Sequence, residues 1–597
     1  MSILSAPNES PSKRVTCNPL DLSYRYQEYR LGTEQSGILR RTVYREAADP
    51  SAVRFRDRFY LFASMSAGFW HSRDLVTWAF QPTKKLPAQD YAPDVRVIND
   101  ALYISASREG RDSPFYRSEN PLEDDFIEVS SGFPFWDPNL FQDEDGGVYF
   151  YWGCSHIEPI RGVRMEPTTL APKGEPQALI FGDPEHHGWE QLGENYVQKE
   201  PTNDMERGMA EFLGGRPYIE GAWMTEHDGT YYLQYSAPAT ENNTYADGYY
   251  TAPSPLGPFE YSQHSPFSSK PGGFITGAGH GSTLQDDHGN WWHMATMRIS
   301  INQTFERRIG IFPAGFDDDG VLFCNQNFGD YPTYFPDRPA DPWTDTDTGW
   351  MLQSFRAETS ASTSLPGHGP ELAVNEDIRS WWTAGTNEPG QWIQVDLGSA
   401  RTVHAIQVNL ADHELAELAP RVDGGWQSDY EYRVVRDERH STGLVVEVSA
   451  DGQAWQSVHD SRRSNADTPH LLITLEQGRS VRFVRVTGGS LPFDGLFAVS
   501  GLRVFGHGTG ISPQPVHGVR VDRYEPRAVR LDWDAEPTAQ GYNVRYGLAP
   551  DRLYHSWLVY EQTNLDLRAL NAGVPYWVAI DAFNENGVTA GPTVGIG

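Results

Sequence analysis

Three carboxylates stand far apart in the chain but share one local setting: Asp49 in AADPSAV, Asp137 in FWDPNLF and Glu220 in YIEGAWM. Each lies at or near the start of a short β-rich run. Cleaving a glycosidic bond takes one protonated carboxyl to assist the leaving oxygen and one ionised carboxylate to activate water or attack carbon. The longer Glu side chain suits proton delivery to an exocyclic oxygen, so Glu220 is the candidate acid and Asp49 the candidate base. A third carboxylate, Asp137, would raise the proton affinity of Glu220 by like-charge repulsion. Asp-Pro pairs commonly begin turns, so Asp49 or Asp137 alone reads as structural. The three at equivalent positions of a repeat read as a site.

The repeat supplies the elements that must position them. Five segments have one shape: DPSAVRFRDRFYLFAS from Asp49, APDVRVINDALYISAS from Ala92, DPNLFQDEDGGVYFYWG from Asp137, IEGAWMTEHDGTYYLQYS from Ile219 and GHGSTLQDDHGNWWHMAT from Gly279. Each has a polar or acidic residue at or near its start, runs through a short strand and a polar turn, and ends in an aromatic strand; the turn-flanked pair is a hairpin signature. Five such units at irregular spacing fit the blades of a five-bladed β-propeller with loop insertions. Innermost strands of a propeller line one channel, so Asp49, Asp137 and Glu220 are expected to converge on a single mouth. The long insertion from about Thr168 to Arg216 is expected to wall one side of it. Trp70, Trp136 and Trp223 are candidate platforms for a sugar ring, and Arg298 a candidate donor to sugar hydroxyls. Blade packing and acid pairing are the structural readings that compete with these.

Composition narrows the partners. With a formal net charge of −32 and no basic run, the chain is unsuited to a phosphate backbone, so no nucleic acid is expected. No apolar stretch is long enough to span a bilayer, so no membrane insertion is expected. Three cysteines, Cys17, Cys154 and Cys324, make no disulfide framework and are expected as packed thiols. The start, MSILSAPNESPSKRVT, lacks the apolar core of a signal peptide, which favours a cytoplasmic address, or a secreted one if a leader was removed. Oligomeric state is not legible.

The combination of Asp49, Asp137 and Glu220 in these motifs resembles glycoside hydrolase family 43 over roughly residues 40 to 335. The resemblance implies a propeller that cleaves mainly arabinose and xylose linkages with inversion. It assigns Asp49 as general base, Glu220 as general acid and Asp137 as pKa modulator and orienter. GAGHGSTLQDDHGNWWHM resembles the family's GHG strand, which places His280 at the channel centre as a calcium ligand, direct or through water. No cofactor is required for the chemistry. The chain departs from the common family pattern at Glu220-Gly221-Ala222-Trp223, where Glu-Gly-Pro is frequent, and at Tyr91, where Trp is; both bear on substrate.

From about Trp350 the texture changes to cleanly alternating strands. AVNEDIRSWWTAG, QWIQVDLG and SADGQAW resemble the discoidin-like fold that includes carbohydrate-binding module family 32, with an implied structural calcium. Trp533, Tyr542 and Tyr576 resemble core positions of fibronectin type III. The expected architecture is all-β: an N-terminal extension at 1–39 packing on the propeller, the propeller at 40–345, a discoidin-like sandwich at 346–508 and a fibronectin type III-like domain at 515–597. The expected activity is an exo-acting inverting glycosidase that removes terminal α-L-arabinofuranosyl residues from an oligosaccharide or polysaccharide. A β-xylosidase, a galactose- or galactofuranose-releasing enzyme and a non-catalytic glycan-binding protein are the alternatives.

Overall fold

A computed structural model describes residues 14–32, 40–86, 91–108, 111–423, 425–427 and 431–597. Each repeat becomes one antiparallel four-stranded meander, to which blade IV adds a fifth short strand, Ser268–Ser269. Their innermost strands are Ser51–Phe55 (blade I), Asp94–Ile98 (II), Asn139–Gln142 (III), Glu220–His227 (IV) and Thr276–Gln285 (V). These strands touch in a closed circle, I with II, II with III, III with IV, IV with V and V with I. The turns follow local chemistry. Asn99-Asp100 and Asp228-Gly229 adopt positive φ at both residues, as the tight two-residue hairpin of a twisted sheet requires.

Side chains stitch the ring. The inner strand is preceded by one entry residue with left-handed backbone in blades I to III, Asp49, Ala92 and Asp137, and contains its counterpart in blades IV and V, Gly221 and His280. Two positions on, a side chain accepts the backbone N–H of the next blade. Ser51 Oγ takes Val95 N–H, Asp94 takes Leu140 N–H, Asn139 takes Met224 N–H and Ser282 Oγ takes Ala52 N–H. In blade IV that position is Trp223, and the fifth joint is closed by Ser236 Oγ and Asp247, which accept the N–H groups of His280 and Gly281.

Blade I is built from 51–82 and blade V from 276–324, so no strand is exchanged across their joint. The N-terminal segment straps it instead. Leu20 N–H bonds to Ile309 O, and Asn18 both donates to Ile311 O and accepts from Ile311 N–H. Leu20, Leu22 and Tyr24 fill a shared core with Leu61 and Trp70 of blade I and Trp292 and Ile309 of blade V.

The extension then forms a hairpin, Arg25–Leu31 with Arg40–Glu46, so the boundary expected at 39/40 falls inside it. Its first strand pairs with Glu431–Val435, an excursion from the second module, giving a sheet shared between modules. That module is a β-sandwich around two 19-residue strands, Trp392–Leu410 and His470–Gly488. Trp382, Val395, Ile406, Val484 and Phe497 lie in its core. The last module has Arg520–Glu525, Ala528–Asp532 and Asn564–Leu567 in one sheet. The other sheet holds His555–Tyr560, Gly541–Gly547, Tyr576–Asn584, Gly587–Thr589 and Val594–Ile596. Trp533, Tyr542 and Tyr576 are buried there, in a cluster that runs on into Trp189, Tyr196 and Tyr235 of the propeller. Among the described residues no helix is long and apolar enough to cross a membrane.

Candidate active site

The entry residues of blades I, III and V are Asp49, Asp137 and His280, and their left-handed backbone turns the three side chains into one pocket of about 600 Å³. Glu220, one residue before the blade IV entry at Gly221, joins them. In a residue with a Cβ this conformation costs of order 1 kcal/mol or more, the kind of strain that surrounding structure holds in place at functional sites. A ring of hydroxyls from the second strands supplies that support. Ser64 Oγ accepts Ala92 N–H, Ser107 Oγ accepts Asp137 N–H, Ser236 Oγ accepts His280 N–H and Thr296 Oγ1 accepts Asp49 N–H. In blade III the matching residue is Cys154.

His280 stands between the two aspartates, with Nδ1 3.5 Å from Asp49 Oδ1 and 3.8 Å from Asp137 Oδ2. Asp137, Glu220 and Cys154 bring ligand atoms within 4.8 Å of one another. Cys154 Sγ lies 2.8 Å from Tyr218 Oη and 3.6 Å from Glu220 Oε2, while Tyr245 donates to Glu220 Oε1. Asp49 accepts from Ser64 Oγ and from Arg307 Nη1, the latter at 3.2 Å.

These surroundings drive the carboxyls apart. Burial pushes Asp49 up, but Arg307, His280, the Ser64 hydrogen bond and Arg433 together outweigh it and hold Asp49 below the usual carboxylate range. Glu220 is pushed up to about 8, by burial first and then by the charge of Asp137, against the opposing pull of His280. Asp137 is also raised, chiefly by burial. Burial lowers His280, yet Asp49, Asp137 and Glu220 outweigh it and raise its proton affinity. Near neutral pH Asp49 is therefore ionised and Glu220 protonated, the pairing that acid–base cleavage of an acetal needs.

The rim is aromatic and comes from several modules. Trp136, exposed by 37%, stands beside Asp137. Tyr91 and Phe305 pack together across the opposite side, with ring centroids 5.7 Å apart. Tyr29 of the extension and Glu431 of the second module close a further edge, joined by a hydrogen bond of 2.8 Å.

Some sequence expectations need correction. Trp70 is fully buried between blade I and the strap, against Phe80 and Tyr24, and is no part of the pocket. Trp223 occupies the stitching position of blade IV, 4% exposed, with the Arg96 guanidinium 3.4 Å from its ring centroid. Arg298 is spent on Glu194, two hydrogen bonds of 2.8 Å, and does not line the pocket. Its direct cross-strand partner Arg307 does. That arginine was missed; the clue was GluArgArg running straight into an apolar strand, where unpaired charge cannot stay. Of the insertion at 168–216, Leu192 reaches the pocket, Trp189 and Tyr196 anchor the last module, and helix Asp204–Leu213 buries nothing. Cys17 and Cys324 are buried thiols, but Cys154 is partly exposed and lines the site.

Nor do the surroundings of His280 fit calcium, which takes six to eight oxygens. His280 Nδ1 is given to two carboxylates, of which Asp49 is already paired with Arg307 and Ser64. Among the described residues the one trio of side chains close enough to share a cation is Asp137, Cys154 and Glu220, which leaves His280 out.

Residues 40–322 match the family described as Glycosyl hydrolases family 43, and residues 372–486 match the NedA-like, galactose-binding domain. Beta-D-galactofuranosidase xynD of Aspergillus niger is 26% identical over 302 residues, covering 43% of this chain and 75% of that protein. Among solved structures, an endo-1,4-beta-xylanase from Bacteroides thetaiotaomicron is 25% identical, covers 47% of this chain and 95% of its own, and has a TM-score of 0.38. An exo-1,5-alpha-L-arabinanase from a bovine ruminal metagenomic library is 21% identical, with 47% and 97% covered and a TM-score of 0.35.

Proposed function

From a chain that carries a glycosyl hydrolases family 43 domain over residues 40–322 and a galactose-binding-like domain over 372–486, we propose an exo-acting, inverting glycoside hydrolase that removes terminal pentose residues, α-L-arabinofuranosyl first among them, from plant-type or microbial glycans. One observation carries this reading: across a single pocket Asp49 is held ionised while Glu220 is held protonated. Glu220 donates its proton to the departing glycosidic oxygen. Asp49 takes a proton from the water that attacks the opposite face of the sugar. Asp137 keeps the Glu220 proton in place, and His280, charged between the two aspartates, orients both. Direct displacement by water leaves the anomeric centre inverted. A recess closed on several sides by Tyr29, Tyr91, Trp136 and Phe305 supports the removal of single terminal sugars.

The test is Glu220→Gln on an arabinofuranoside with a poor leaving group. Hydrolysis is expected to fall by ~10²–10⁴, and proton NMR of the wild-type reaction to show the inverted anomer first. Wild-type turnover in the variant, or a retained anomer, overturns the assignment.

A second reading, release of β-D-galactofuranose, is favoured by the similarity to the Aspergillus niger galactofuranosidase. The two sugars share ring configuration and differ by one exocyclic hydroxymethyl group, worth roughly 1–3 kcal/mol of discrimination in a fitted pocket. The ratio of kcat/KM on the paired chromogenic furanosides decides between them. The last module we read as a fibronectin type III-like spacer. Its division into a three-stranded sheet and a larger partner around Trp533 supports this, and it is docked on the propeller through Trp189 and Tyr196.

A further inference from the structure

The strand Glu431–Val435 belongs to the second module by chain position, yet it lies against the extension hairpin at the mouth of the propeller. Arg433 on it is 4% exposed and lines the pocket. Its guanidinium donates to Gln27 Oε1 at 2.8 Å and pairs with Glu46 Oε2, and it sits 4.7 Å from the Tyr91 ring centroid and 5.4 Å from that of Phe305. The other oxygen of Glu46 accepts Arg307 Nη2 at 2.6 Å, and Arg307 Nη1 reaches Asp49. Four charges thus alternate in one buried line: Arg433, Glu46, Arg307, Asp49. Removing the first leaves a fully buried Glu46 with Arg307 as its one charged partner, so Arg307 is drawn towards Glu46 and away from the base.

We propose that Arg433, delivered by the second module, is a positioning residue of the acid–base site, holding the Asp49 carboxylate in place through Glu46 and Arg307. The second module is then a working part of the catalytic pocket as well as a galactose-binding-like domain. This rests on the glycosidase reading above.

The groups facing Asp49 define what a titration reports. They are Arg307 and His280 from blade V, Ser64 from blade I, Asp137 from blade III, Glu220 and Tyr245 from blade IV, and Glu46 and Arg433 from the shared sheet. Asp49 must be ionised to act, so its titration sets the acidic limb of kcat/KM, and weakening its cationic neighbours moves that limb to higher pH. In the full-length chain, Arg433→Met is expected to raise the acidic limb by ~0.5–1 pH unit and to lower kcat about tenfold or more, as a displaced base does. Arg433→Lys should restore part of both. Glu46→Gln should move the limb the other way, to lower pH, because it frees Arg307 for Asp49 and removes a negative charge, and in the Glu46→Gln background the Arg433→Met shift should shrink, because it acts through Glu46 and Arg307. Circular dichroism and Tm identify any variant that fails to fold; for such a variant Arg433→Lys alone is read. An acidic limb that stays at its wild-type position in folded Arg433→Met, or an Arg433→Met shift of undiminished size in the Glu46→Gln background, overturns the inference. If Glu220→Gln is inactive while Arg433→Met has the wild-type profile, this inference fails and the glycosidase reading stands. If Glu220→Gln is fully active, the glycosidase reading itself fails.

Discussion

Replacing Asp137 by Asn removes one negative charge next to the proposed acid and leaves a side chain of the same shape. The two carboxyls approach within 4.8 Å. At about 5 Å and an effective dielectric of ~20, two unit charges interact by roughly 3 kcal/mol, a little over two pH units. The imidazolium of His280 faces the same carboxylate and offsets part of this, so the expected change is about one to two units. Glu220 acts while protonated, so its titration is the basic limb of kcat/KM, near 8 in the wild type given its raised position. In Asp137→Asn that limb should fall to about 6–7. The enzyme would then lose activity as pH rises through neutrality, where the parent is still at its plateau. The assay must use a substrate whose leaving group needs protonation, such as an unsubstituted disaccharide, because a nitrophenyl group departs without help. An unmoved basic limb, with kcat merely scaled down, would refute the claim that Asp137 keeps the proton on Glu220.

Trp70→Ala and Trp136→Ala should separate cleanly. The first opens a cavity in a fully buried core and is expected to cost ~3–5 kcal/mol in urea unfolding with KM unchanged. The second strips a rim ring, raising KM with little change in Tm. Stability should also fall on mild acidification at the seam between propeller and sandwich. His470 accepts Arg308 Nε at 3.0 Å, and its proton affinity is pushed far down, by burial first and then by Arg308 and Arg45. The unfolded chain binds that proton below about pH 6.5 and the folded one does not, so stability is present above this range and is lost as pH falls. His470→Asn should flatten the Tm profile between pH 7 and pH 5; an unchanged slope would count against the assignment.

The propeller was readable because each blade restates one local instruction, a polar residue at or near the start of a segment followed by two short strands with a turn between them. Asp49, Asp137 and Glu220 could be found from that repetition alone. Arg298 and Arg307 could not be told apart in the same way. They face each other across one strand pair, and which of them finds a carboxylate in the pocket depends on Glu194, which sits in an insertion. Trp223 misled because proximity in sequence to an acid says nothing of direction: the register shifts between Glu220 and Trp223, and Glu220 lines the pocket while Trp223 packs against Arg96 of blade II. Cys154 looked inert because a thiol is most often packed, and its meaning emerges only when blade III is laid over the four blades that carry hydroxyls there. The pairing of Arg25–Leu31 with Glu431–Val435 had no local signal at all, since both are ordinary alternating strands.

The strap over the joint between blades I and V has a consequence for the order in which the molecule comes together. A chain emerging from the ribosome presents Asn18 and Leu20 before any blade, but their partners Ile309 and Ile311 arrive only after four blades have been made. The extension strand must wait longer still, until Glu431 is available. Residues synthesised before every blade are therefore among the last to settle. Until they do, blade I and blade V meet without their strap, through the Ser282–Ala52 and Thr296–Asp49 hydrogen bonds, the Arg54–Asp287 ion pair and part of their shared core, so catalytic competence is a late event in the life of each newborn chain.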